Sequence, residues 1–262
     1  MSHYYRRDGS SCYEVERTDG KGVRNTSIRD ARKLSLVPSV TTITGVLAKN
    51  GLTNWLMEQT IGACFGEDRQ KEGEDFQAYT KRIIYASNKI GRKTAERGSY
   101  LHDLLEGFFS GQKGLADMSQ EDRQYITPVI EAVHTDVLNS RTWEAERSFA
   151  SPLGYGGKVD LSSQKPRSDG KKGYVLDFKT KNTTDPKKFY RYSEHLMQLA
   201  AYRHGLGMPE ARCFDLYFSS QQPGIVLLHE WPEEELQKGW KQFEHLLKYW
   251  QLENDFDSSF VC

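Results

Sequence analysis

The stretch from Thr142 to Trp231 limits the possible folds most. It holds three strand-like segments in succession, "TWEAERSFA", "GGKVDLSS" and "GYVLDFKT". A helix-like segment follows, then two more strands, "CFDLYFSS" and "GIVLLHEW". The first two strands meet at the Pro/Gly turn "SPLGYGG", and the polar loop "QKPRSDGKK" joins the second to the third. "QQPG" separates the last two. Asp185-Pro186 predicts a helix running to about Gly205, with Asp185 as its cap and Pro186 in its first turn. Pro232 opens a final helix to about Glu253. This order predicts a mixed α/β core.

Upstream the chain reads as helical. Residues 1–35 are polar, with Gly9, Gly20 and Gly22, and predict a hairpin or a loose arm. Ser39 is a natural N-cap for a helix through Leu47, and Thr53 for "TNWLMEQTIGACF". Residues 74–87 form a third candidate. From Ile90 to Phe109, the spacing of Leu101, Leu104, Leu105 and Phe108 predicts a helix ended by Gly111 and Gly114. Another is expected from Ser119 to Leu138, kinked at Pro128.

Composition removes several function classes. The 36 Lys and Arg balance 36 Asp and Glu, so a general polyanion-binding coat is absent. Contact with nucleic acid would need local patches. The candidates are Arg92, Lys93 and Arg97; Lys165, Arg167, Lys171 and Lys172; and Lys187, Lys188 and Arg191. Each is also readable as a solvated face. The four cysteines, Cys12, Cys64, Cys213 and Cys262, form no CxxC and no Cys/His cluster. That argues against a zinc site or an iron–sulfur cluster and for a reducing compartment. The longest aliphatic run, Ile225 to Leu228, is far short of the ~20 residues of a membrane helix. "MSHYYRRDGSSCYEVE" has no apolar leader, so a cytoplasmic setting, in a bacterial or phage-infected cell, is expected over the mitochondrial matrix. No G-x-x-x-x-G-K-[ST] phosphate loop occurs.

Four short motifs carry chemistry. In "YVLDFKTKN", Asp177 and Lys179 are two apart and project from one face of a strand. They are either a surface ion pair or a carboxylate for a hard cation beside a lysine that stabilises phosphate charge. Asp160, in "GYGGKVDLSS", would lie beside Asp177 across a hairpin. Gly154, Gly156 and Gly157 before it would allow close approach of a nucleic-acid backbone. His102 borders the apolar stripe of its helix, with Glu106 one turn on. It is readable as structural or as a ligand, better suited to Mn²⁺ than to Mg²⁺. Gln198 and Tyr202 form an i,i+4 pair, either an ordinary amphipathic face or a phosphate- and base-contacting one.

Taken in order, "RGSYLH", "GGKVD", "DFK" and "QLAAY" resemble the R-G-x-x-x-H, G-x-x-D, D-x-K and Q-x-x-x-Y motifs of the RecB-type PD-(D/E)XK nucleases. The resemblance spans roughly residues 97–202. It implies a restriction-endonuclease-like mixed central sheet flanked by helices, with an N-terminal helical layer. Residues 1–88 would form an arm and helical region packed on a nuclease core at 89–262. It implies an exonuclease that hydrolyses DNA phosphodiester bonds with Mg²⁺ or Mn²⁺, in recombination, repair or end processing. A structure-selective endonuclease and a non-catalytic DNA-binding scaffold are the alternatives. By position, His102, Asp160, Asp177 and the Phe178 carbonyl would hold metal. Asp160, Asp177 and Lys179 would be catalytic, and Arg97, Gln198 and Tyr202 would contact DNA. Gly98 and Glu106 are further candidates. DNA is the implied partner, alongside a recombination protein. Some relatives hold an iron–sulfur cluster on cysteines; this chain lacks the arrangement.

Overall fold

A computed structural model describes residues 2–66, 69–135, 142–163 and 173–256, with Ile90 described by its backbone alone. In chain order the strands are β1 (Tyr4–Tyr5), β2 (Glu14–Glu16), β3 (Val23–Asn25), β4 (Val37–Pro38), β5 (Glu144–Ser151), β6 (Tyr155–Ser163), β7 (Tyr174–Lys181), β8 (Arg212–Ser219) and β9 (Val226–Trp231). The helices are α1 (Ile28–Lys33), α2 (Val40–Thr44), α3 (Asn50–Phe65), α4 (Phe76–Phe109), α5 (Gln120–Val133), α6 (Ser193–Gly205) and α7 (Glu233–Glu253). Two compact units result: Met1–Val46 with Asp103–Cys262, and Leu47–His102. The boundary expected at 88/89 falls inside α4.

The first unit is built on a five-stranded sheet ordered β5-β6-β7-β8-β9. Only β7 and β8 run parallel, because α6 carries the chain back between them. β7 is central, which is why it reads as an apolar run: Tyr174, Val175, Leu176, Asp177 and Phe178 are all buried. Phe178 packs between Phe109 and Phe218, at ring-centroid distances of 6.1 and 6.4 Å. α7 buries Leu236, Gly239, Phe243, Leu247 and Trp250 at helical spacing. It closes tightly on α6, since a Cβ at Gly239 would lie 2.7 Å from Leu196 Cγ.

The first residues are not a loose arm. β1 pairs with β4, β2 with β3, and Tyr4, Tyr5 and Cys12 are buried. A bridge from Ser39 to Gly156 ties the start of α2 to β6, and Ser39 caps α2 through the Thr42 amide at 2.9 Å.

Three helix expectations change. Residues 76–109 form one helix where two were expected; no Gly or Pro falls between residues 87 and 90 to break it. α3 begins at Asn50, and Thr53 bonds back to the Lys49 carbonyl at 3.2 Å instead of capping. Asp185 caps only a single 3-10 turn, Pro186–Lys188. Phe189 then tucks in against Tyr217, 5.9 Å between rings, and redirects the chain before α6 starts at Ser193. The expected helix end at Leu138 and the loop Gln164 to Lys172 lie outside the described residues. Among the described residues, no helix is long and apolar enough to cross a membrane.

Candidate active site

The antiparallel ladder of β6 and β7 pairs Leu161 with Leu176 and then stops. One step further, the same register sets Asp160 opposite Asp177. There a side chain replaces the lost backbone partner: the Phe178 N–H donates to Asp160 Oδ2 at 2.7 Å. A carboxylate thus stands in the gap where the ladder ends. In a strand, the N–H and C=O of one residue point to the same side, so the Phe178 carbonyl is aimed at this gap too.

Asp177 is buried, and each of its oxygens is engaged. Oδ2 lies 2.5 Å from Lys179 Nζ, and Oδ1 accepts from Gln198 Nε2 at 3.0 Å. Lys179 Nζ also donates to Gln198 Oε1 at 2.8 Å, closing a ring of three side chains. The second Gln198 N–H reaches the Tyr202 hydroxyl at 2.9 Å. α6 supplies both Gln198 and Tyr202, one turn apart, and so lays an amide over the carboxylate and the ammonium together.

The electrostatics follow from burial. Asp160 is pushed up to about 8, first by burial and then by the Asp177 charge. Burial works against the Lys179 ammonium, but Asp177 and Asp215 more than offset it, and its pKa is raised. The Tyr202 phenol is held well above its usual range by burial and by Asp177. Ionising Asp160 would set three carboxylates, with Asp177 and Asp215, around the Lys179 ammonium. Hard carboxylate and carbonyl oxygens around such a deficit suit a small divalent cation. Among the described residues, no group of three His, Cys, Asp or Glu side chains is gathered closely enough to hold a metal by itself.

The glycines of β6 serve a different purpose from the one expected. A Cβ at Gly157 would lie 2.7 Å from Tyr202 Cε1 and 2.9 Å from Phe149 Cε1, and one at Gly156 would lie 2.9 Å from Tyr5. They make room for protein side chains, Tyr202 above all.

No protein-family model matches the sequence, and no curated protein matches it. Several solved structures are similar at a distance, these two among them. One is the crystal structure of SSO0001, with 14% identity and a TM-score of 0.31, covering 74% of this chain and 86% of that one. The other is the Eubacterium rectale protein named "Putative exonuclease", with 13% identity and a TM-score of 0.41, covering 80% and 88%. At such values the site geometry is the ground for a functional reading.

That geometry brings together Asp160, Asp177, Phe178, Lys179, Gln198 and Tyr202, all in the first unit. His102 is the last residue of the second unit, on α4. Arg97 sits on α4 of the same unit, its guanidinium 5.6 Å from the Tyr100 ring centre. Arg92 lies 5.0 Å from the Tyr85 ring, and Glu96 is the one acid between Phe76 and His102 against Lys81, Arg82, Lys89, Arg92, Lys93 and Arg97.

Sequence reasoning missed Asp215. It is fully buried on β8, directly beside Asp177 in the parallel register. The signal was present: a lone carboxylate inside the apolar run "CFDLYF" is the same anomaly that singled out Asp177.

Proposed function

We propose that this protein is a deoxyribonuclease that hydrolyses phosphodiester bonds with Mg²⁺ or Mn²⁺, acting from DNA ends. The observation that carries this reading is the closed arrangement around Asp177: Asp160 opposite it in register, Lys179 on its Oδ2, and Gln198 bonded to both. A structural ion pair does not need a second carboxylate, Asp160, set opposite the buried Asp177 where a ladder ends.

Asp160, Asp177 and the Phe178 carbonyl, all of the first unit, would hold the cation. When bound, the cation supplies Lewis-acid stabilisation of charge on the phosphate and lowers the pKa of water. The chain's own residues do the rest. Asp160 and Asp177 would fix the place of the cation relative to β7. Lys179 places an ammonium against the developing negative charge on phosphate oxygen. Gln198 keeps that ammonium from swinging away, because its carbonyl accepts from Nζ while its amide holds Asp177. Tyr202 stays protonated, and its oxygen accepts from the Gln198 amide. The basic, tyrosine-bearing α4 suits a phosphate backbone with unstacked bases, Arg97 among its contacts.

The test uses DNA labelled at the 5′ or the 3′ end, single- and double-stranded, linear and circular, with Mg²⁺. Linear DNA should be shortened from an end by the wild type and left intact by Asp177→Ala. Equal digestion by both proteins sinks the catalytic assignment. Cutting of circular DNA would instead make the enzyme an endonuclease on the same chemistry.

A further inference from the structure

Asp215 is a buried carboxylate that the reading above does not use. β7 and β8 run parallel with Asp177 beside Asp215 and Lys179 beside Tyr217, so the four side chains form a block on one sheet face, under α6. One oxygen of Asp215 is well served. Oδ2 accepts from Trp231 Nε1 at 2.7 Å and from the Tyr217 hydroxyl at 3.2 Å. With its proton given to Asp215, the Tyr217 oxygen accepts from His195 Nδ1 at 2.9 Å. The other oxygen, Oδ1, is buried and has no hydrogen-bond partner. Leaving a carboxylate oxygen unserved in the interior is costly unless a positive charge lies within reach. The ammonium on the same sheet face is that of Lys179, whose stem starts on the adjacent strand one pair further along. The Lys179 charge lowers the Asp215 pKa, and the Asp215 charge raises that of Lys179.

We infer that Asp215 is a positioning residue for Lys179: its Oδ1 anchors the Lys179 ammonium when Asp177 is committed to a cation. The inference rests on the nuclease reading. Without a cation, Asp177 Oδ2 and Gln198 share the ammonium. Were Asp177 to hold a divalent ion, Lys179 would lose its carboxylate partner and be repelled by the added charge. Gln198 alone offers a neutral acceptor. Asp215 offers the remaining negative charge on the same face, held in place by Trp231 and Tyr217, so Lys179 stays beside β7 without leaving for solvent.

The experiment is a double-mutant cycle with single-turnover DNA cleavage as readout. Asp215→Asn keeps an acceptor for Trp231 and Tyr217 but turns an NH₂ toward Lys179. It should lower kcat by about tenfold or more with KM for DNA nearly unchanged. In a Lys179→Ala background, Asp215→Asn should cost nothing further. An active wild type with a fully active, folded Asp215→Asn protein overturns the inference, as does the same loss in both backgrounds. A wild type that cleaves no DNA overturns the nuclease reading instead. Should Asp215→Asn not fold, the wild type answers by NMR. With Mg²⁺ bound, the Lys179 ammonium should exchange slowly with water and show a hydrogen-bond coupling to the Asp215 carboxyl carbon. An ammonium exchanging as fast as an exposed lysine's overturns the inference.

Discussion

Gln198 bonds Asp177 through its amide nitrogen at 3.0 Å, while its amide oxygen accepts from the lysine that pairs with that same Asp177. One neutral side chain on α6 therefore sets the distance between a carboxylate and an ammonium on β7. Removing it should matter more for rate than for stability. Gln198→Ala is expected to lower single-turnover cleavage by about 10²-fold, the effect of misplacing a reacting group by about an ångström. Tyr202→Phe, which removes only a bond to Gln198, should cost less. Rates on labelled DNA at saturating Mg²⁺ decide the order; a larger loss in Tyr202→Phe would contradict it.

Asp160 makes the cation-free protein sensitive to pH. Its folded pKa of about 8 lies above its ordinary 3.8, so between those values the folded state holds a proton that the unfolded chain has released. Stability is then greatest at the acid end of that window and is lost as pH rises towards 8. Thermal melts in the presence of a chelator should fall across this range, and Asp160→Asn should flatten the fall. A wild-type melting temperature that rises with pH, with the slope unchanged in Asp160→Asn, would show that burial of Asp160 is not the cause.

Cation binding should offset the cost of keeping Asp160 ionised in its buried place beside Asp177. At Mn²⁺ or Mg²⁺ one hundredfold above its dissociation constant, folding gains about 2.7 kcal/mol. Differential scanning of wild type, Asp160→Asn and Asp177→Asn with and without the ion reads this directly. Only the wild type should shift upward by the full amount. Equal shifts in all three place the ion elsewhere.

Gly157 sits where Tyr202 and Phe149 leave no space for a Cβ. Gly157→Ala should cost about 1–3 kcal/mol in urea unfolding, the usual range for overpacking a core. It should also reduce cleavage per folded molecule, since Tyr202 must move and Gln198 with it. A variant as stable and active as wild type would show that the strand relaxes freely.

Arg203 is 1% exposed and is held by Glu233 through bonds of 2.8 and 3.0 Å that tie α6 to the start of α7. Glu233→Ala leaves a buried guanidinium without its carboxylate and should cost about 2 kcal/mol, less than a fully buried pair because Glu233 is half exposed. Arg203→Met replaces the charge by apolar volume and should cost less. Chemical denaturation of the two variants checks the ranking.

Much of the site was legible from residue order. Asp177 and Lys179 were conspicuous because charge interrupts an apolar strand, and period-two alternation put both on one face. Gln198 and Tyr202 were a turn apart by helical spacing. Phe178, between Asp177 and Lys179 on the strand, alternates to the other face and packs against Phe109 and Phe218. The strand succession and the α7 stripe follow from the same two periodicities.

What the sequence by itself determined is thus local: which segments pair or coil, and which residues share a face. Only the tertiary structure decided relations between segments. It ended the β6–β7 ladder at Leu161 and Leu176 and turned the Asp160 carboxylate onto the Phe178 amide. It set Asp215 beside Asp177, because a parallel register is fixed by the α6 crossover and not by either strand alone. It filled the space over Gly156 and Gly157 with Tyr5, Phe149 and Tyr202, and it pinned the N-terminal strands. These are long-range contacts whose free energy depends on shape and charge supplied by distant residues, and no periodicity in a single segment encodes them.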